Sequence, residues 1–226
     1  MLLAFGVDLG LIALHVVNLQ GITPAGRPLR FFDVDDEVNL PTWWASVQLF
    51  SIGLLLGLVA VRRAPRAWIA RIGLWVLAAA FFGMSLDEFA QLHERLGQAT
   101  RTGVLPVTGA WPLILGPLAL VVIGGALLAA RRYLRDPQAL AIMAGGLVLY
   151  VVAAAGIELT LNAVALGSVE HELQVIAEEL GEFLGATLLL WGAYRLALAR
   201  TQLPARAGLR DAGGDGAASS DRLPAA

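Results

Sequence analysis

Residues 138–160 read QALAIMAGGLVLYVVAAAGIELT, a run of 20 residues without a charge before Glu158. As a helix rising 1.5 Å per residue, such a run is about 30 Å long, which matches the hydrocarbon thickness of a bilayer. Strands are rarely this long, and the helices of soluble domains rarely stay apolar on every face for so many turns. Working outward, five more segments have the same character, at about 2–20, 42–61, 67–86, 111–131 and 177–198. With 58% hydrophobic residues and a mean hydropathy of +0.71, an ordinary soluble domain is excluded. The expected fold is all-α, a polytopic membrane helix bundle of about six transmembrane helices over residues 1–200. Residues 201–226, TQLPARAGLRDAGGDGAASSDRLPAA, hold few large apolar side chains and are expected to form a disordered cytoplasmic tail.

Charge is distributed unevenly along this frame. Arg62, Arg63, Arg66, Arg71, Arg131, Arg132, Arg135, Arg195, Arg200, Arg206 and Arg210 fall at one set of span ends. Only Arg27, Arg30, Arg95 and Arg101 fall at the other set, which holds most of the acidic residues. Short arginine-rich loops stay in the cytoplasm, so both termini are expected inside and the acidic cluster outside, facing a periplasm or the exterior. Trp43, Trp44 and Trp111 at outer ends, and Trp68 and Trp191 near inner ones, suit the interfacial belts. Pro41 and Pro112 open their spans, whereas Pro117 lies inside one and should bend it. The first 20 residues lack a basic leader and a small-residue cleavage site, and Asp8 interrupts them, so they read as a retained span. All 16 basic residues are arginine, a bias of GC-rich bacterial genomes that points to a bacterial inner membrane. No cysteine is present, which excludes disulfides, thiolate zinc sites and cysteine nucleophiles. The arginines form no concentrated patch, so no nucleic-acid partner is expected.

The acidic residues themselves fall into a pattern. In VEHELQVIAEELGEFLGATLLLWG (169–192), His171, Glu178 and Glu182 recur at i, i+7 and i+11. On a helix they fall within about 40° of one another, with Glu179 flanking the stripe. Gly181 and Gly185 form a small-xxx-small pair that admits a close neighbouring helix. In MSLDEFAQLHERLG (84–97), Asp87 and Glu94 share a helical face, while Glu88 and His93 lie off it. A break near Gly83, with Ser85 to Glu88 as a capping box, would let His93 and Asp87 face the same way. Glu158 and Asn162 come from the fifth span. Asp33 to Glu37 read as a solvated loop, and Asp8 and His15 as a pair satisfied within the bundle.

At FDVDDEVNLPTWWASVQLF (32–50), SLDEFAQLHERLG (85–97) and EELGEFLGATLLLWG (178–192) the chain resembles a family of uncharacterised bacterial multi-spanning inner-membrane proteins. The resemblance covers about residues 1–199. It rests on an acidic loop before a Pro-Thr-Trp helix start, an SLDE…HE segment and a glutamate-rich EExxE last span. It implies the same bundle and singles out Glu37, Pro41 to Trp43, Ser85 to Glu88, His93, Glu94, Glu158, Glu178, Glu179 and Glu182. It carries no established activity with it.

Carboxylates and imidazoles converging in low dielectric need protons, arginines or a cation to balance them. Such ligands suit Fe, Mn or Zn. The first expectation is therefore a divalent metal site made from Asp87, Glu88, His93, Glu94, Glu158, His171, Glu178, Glu179 and Glu182. Whether it is catalytic, on a lipid or small-molecule substrate, stays open. The Glu-x-x-His pairs of di-iron bundles and the His-Glu-x-x-His of zinc proteases are both absent. Two other classes stand beside it. One is a proton- or cation-coupled transporter, for which a homodimer stays open. The other is a structural or assembly protein whose buried polar network fixes one packing.

Overall fold

The computed structural model describes residues 1–21, 27–36, 38–62, 68–131, 134 and 136–199. Glu37, Arg63, Arg66, Arg132, Arg135, Arg200, Arg206, Arg210 and the expected tail from 201 lie outside the described residues. Among the described residues, besides a 3₁₀ turn at Arg30–Phe32, seven helices follow one another: α1 Leu2–Leu19, α2 Leu40–Arg62, α3 Trp68–Ala90, α4 Leu92–Ala99, α5 Trp111–Arg131, α6 Pro137–Ala163 and α7 Val169–Leu198. Five of them (α1, α2, α3, α5 and α6) are long and apolar enough to cross a membrane. The sixth long helix, α7, has the length but carries the acidic stripe in its first half.

Local sequence explains the helix starts. Asn39 Oδ1 accepts from the Thr42 amide at 3.1 Å, just before Pro41 enters the first turn of α2. Asp136 accepts from the Ala139 amide at 2.9 Å ahead of Pro137, and Ser168 accepts from the His171 amide at 3.1 Å. Each cap satisfies an amide that the first helical turn leaves unpaired.

α2, α3, α5, α6 and α7 share one core, in which Leu49, Ile52, Leu56, Leu74, Leu77, Met143 and Leu189 are wholly buried. Small residues set the closest approaches. A Cβ on Gly181 would lie 2.6 Å from Ala153 Cβ, and one on Gly185 would lie 2.7 Å from the Tyr150 amide nitrogen. The Gly181/Gly185 pair does bring α6 against α7, as its spacing predicts.

α1 is attached differently. Its buried stripe, Ala4, Asp8, Leu11, His15 and Asn18, is mostly polar. Asp8 is fully buried, with Trp44 Nε1 at 2.8 Å and Gln48 Nε2 at 3.1 Å on Oδ1 and Thr187 Oγ1 at 2.7 Å on Oδ2. The Val34 amide donates to His15 Nδ1, and Asn18 exchanges two hydrogen bonds with the Leu29 backbone. Asp8 is thus satisfied within the bundle, though not by His15, whose Nδ1 accepts from Val34 while its buried Nε2 has no hydrogen-bond partner. Interhelical hydrogen bonds replace the hydrophobic driving force that is missing between helices in lipid.

Two local features that the sequence leaves open are decided by the structure. α3 runs unbroken through Gly83 and Ser85, and no capping box forms there. Ser85 Oγ instead meets Ser46 of α2, 3.0 Å from its hydroxyl. The break comes at Gln91, whose φ of 54° is left-handed and separates α3 from α4. The fifth span also departs from a plain helix, because Val152–Ile157 is wound as a π-helix and Leu161–Ala163 as a 3₁₀ turn.

Candidate functional site

The acidic ends of α3, α6 and α7 and the Trp111 end of α5, together with α4 and the segment before α2, surround a cavity of about 980 Å³. All nine residues singled out by their spacing (Asp87, Glu88, His93, Glu94, Glu158, His171, Glu178, Glu179 and Glu182) line it. So do Asp35, Arg101, Trp111, Tyr150 and Glu172, which that spacing did not single out for a site.

Three local devices aim these side chains. The break at Gln91 turns α4 back over the end of α3. Asp87, in the last turn of α3, then accepts from the His93 amide through Oδ1 at 3.0 Å and from His93 Nδ1 through Oδ2 at 3.0 Å. His93 also lies with its ring 4.9 Å from that of Trp111. The π-helical turn at Val152–Ile157 shifts the register of α6 just before Glu158, which contacts Glu178 and Trp111. Such one-residue insertions are frequent at functional sites. Asn162, next along, is a clamp and not a ligand. Its Oδ1 accepts from the Val107 and Thr108 amides, and its Nδ2 donates to Thr108 Oγ1 at 2.8 Å.

Deeper in, Tyr150 bridges two helices. Its hydroxyl donates to Glu88 Oε1 at 3.0 Å and also lies in hydrogen-bond contact with Glu182. The stripe on α7 therefore meets α3 through Tyr150 and α6 through Glu158. His171 completes it at the top of α7; it is 8% exposed, and its Nδ1 has no hydrogen-bond partner. Asp33 and Asp36 stay away from the cavity: Asp36 pairs with Arg30, and Asp33 lies beside His15.

Outside the spanning segments two groups titrate far from their usual range. Burial disfavours the charged form of His93, but the hydrogen bond and charge of Asp87, with the charges of Glu88 and Glu182, outweigh it and push the imidazole up to about 9. At neutral pH it is a cation. Asp35, although its side chain is exposed at the cavity's edge, is pushed up to about 6, chiefly by the protein crowded around it, which the charge of His171 opposes and those of Asp33, Glu172 and Glu158 reinforce.

The lining thus holds nine carboxyl side chains against Arg101, His93 and His171. Two carboxyl groups in contact, such as Glu158 and Glu178, need a proton or a cation between them. Among the described residues, however, no group of three His, Asp or Glu side chains stands ready to hold a metal ion. The expected metal set converges on one cavity, but not on one point.

Comparison with known proteins gives a family and no activity. The chain belongs to the family described as Domain of unknown function (DUF8692), whose model matches residues 2–198. No curated protein and no solved structure matches it.

Proposed function

We propose that this protein binds a cationic ligand in its membrane-embedded acidic cavity, with an organic ammonium as the ligand class. The observation that carries this reading is the lining itself: nine carboxyl side chains beside Trp111 and Tyr150, in a cavity of about 980 Å³. Carboxylates supply the counter-charge, and aromatic faces attract ammonium groups through their quadrupoles. The volume is that of a small-molecule site and exceeds what a bare ion needs. The chain sits in a bacterial inner membrane with the acidic end outward, so the ligand arrives from the periplasmic side.

A divalent ion of Fe, Mn or Zn is the second reading. His171 favours it, because the residue lines the cavity and its buried Nδ1 has no hydrogen-bond partner. Glu158, Glu178, Glu182 and one imidazole would have to draw together on binding, and an enzymatic role would follow from this reading alone. Transport finds less support. Below Glu182 the bundle is filled by wholly buried Leu49, Ile52, Leu56, Leu74, Leu77 and Leu189. The remaining class, a purely structural network, is separated by whether anything binds.

The test is thermal stability of the purified full chain with choline, tetramethylammonium and alkylamines, beside their neutral isosteres. Elemental analysis of the same preparation runs in parallel. Wild type is expected to gain several degrees with the cations only, and Glu158→Gln with Glu182→Gln to lose that gain. One equivalent of metal lost in the same variant would replace the ammonium by the ion. No shift with any cation, and no metal, would overturn both readings.

A further inference from the structure

α3 and α5 touch at one end and part at the other. A Cβ on Gly73 would meet Ala126 O at 3.2 Å and Ala129 Cβ at 3.7 Å, so the two helices are in contact near their arginine-rich ends. Further along, Ala80, Gly83 and Met84 of α3 and Leu118, Ala119 and Val122 of α5 all line the acidic cavity, so open space lies between the two helices there. There α5 leans on α6 instead, with Gly116 so close that an added Cβ would lie 2.8 Å from Ala155 Cβ. A crevice is left between α3 and α5, and its walls face two ways. Gly83, Leu118 and Val122 line the acidic cavity and are themselves exposed, Leu118 at 53%.

We propose that the acidic cavity opens sideways into the bilayer through this crevice and takes an amphiphile with an amine head group, its apolar tail lying between α3 and α5. The inference rests on the cation-binding reading and adds the ligand's class and route. The head would sit among Glu88, Glu158, Glu178 and Glu182, beside Tyr150 and Trp111. The independent sign that this polar end awaits a ligand is the open space itself, about 980 Å³ bounded by these carboxyls together with the Trp111 and Tyr150 rings. The tail gains little by leaving lipid for the crevice, since acyl chains are as apolar as leucine. Its part is to concentrate the ligand in the membrane and to deliver the head at the depth of the carboxylates. Selectivity therefore resides in the head group, and the crevice decides only whether a tailed molecule can reach it.

The absence of native cysteine permits a reversible test. The full chain carrying Gly83→Cys and Ala119→Cys is placed in proteoliposomes and bridged across the crevice by reducible bis-thiosulfonate linkers of graded length. A photoreactive, alkyne-tagged single-chain amine is the probe. Labelling is expected to map to residues 80–84 and 115–122, to fall at least tenfold on bridging, and to return on reduction, which shows that the protein stayed folded. It should also fall about tenfold in Glu158→Gln with Glu182→Gln. Vesicles with ethanolamine lipid that compete out the probe identify a lipid as the occupant, and vesicles that do not compete identify a dissolved amine. Labelling unchanged by the bridge would overturn the lateral route. If tetramethylammonium stabilises the protein while the tailed probe does not label it, the amphiphile falls and cation binding stands. Equal labelling by a neutral-headed probe of the same tail would remove the cationic head, and with it the cation reading.

Discussion

His93 is held by Asp87 through both its backbone amide and its ring, and the same carboxyl caps the first turn of α4. Since the imidazole is raised from 6.5 to about 9, its contribution to stability is fully present below pH 6.5 and is lost as pH rises through 9. Melting temperatures of wild type and Asp87→Asn should accordingly differ most at pH 6 and converge towards pH 10; a constant gap would mean that the contact is not charge-dependent. Asp35 runs the other way. A carboxyl raised to about 6 favours the folded state at low pH, and that advantage fades as pH climbs from about 4 to 6. Its ionisation also adds charge to the cavity lining, so affinity for a cation should rise several-fold between pH 5 and 7 and rise less steeply in Asp35→Asn, as read by calorimetry. Residue types and helical spacing were enough to select Glu158, Glu178 and Glu182. They were not enough for Asp35 and Tyr150. Asp35 sits in an acidic loop that looks solvated, and Tyr150 sits in an apolar run where one hydroxyl carries no periodic signal.

At the scale of the element, glycines separate contact from freedom. Gly185→Ala drives a methyl into the Tyr150 backbone and should lower stability by about 2 kcal/mol, as overpacking does. Gly124→Ala, where an added Cβ meets nothing within 4 Å, should be neutral or gain up to about 1 kcal/mol of helix propensity. Unfolding in mixed detergent reads both. The π-helical turn makes a sharper prediction. Deleting Ala154 would restore α-helical register and swing Glu158 about 100° around the helix. Ligand-induced stabilisation should vanish while helical circular dichroism persists. The apolar run of 138–160 shows that a helix exists, but an insertion that serves Glu158 leaves no mark on its composition. The break in α3 moved for a comparable reason. In hydrocarbon every backbone group must be satisfied within the helix. A lone exposed glycine at 83 therefore stays helical, and the turn waits for Gln91, beyond the apolar stretch.

For the molecule as a whole, apolar run lengths were sufficient to identify a bundle of spanning helices. The packing of α1 was not legible, because a stripe of Asp8, His15 and Asn18 does not name its partners. Orientation is open to a direct check in the cysteine-free chain. Thr102→Cys should react with an impermeant maleimide on intact cells, and Arg62→Cys only after permeabilisation; the reverse pattern would invert the assignment. Asp8 also bears on how the chain is made. Its Oδ2 is satisfied by Thr187, 179 residues later, and an unpaired aspartate at the centre of a spanning helix costs about 3 kcal/mol. During synthesis α2 brings Trp44 and Gln48 to Oδ1 early, but Oδ2 goes without its partner until the last helix arrives. Ribosome-bound chains ending before α7 should hold α1 loosely, open to alkaline extraction or to slipping back, and its firm insertion should coincide with the arrival of the C-terminal helix.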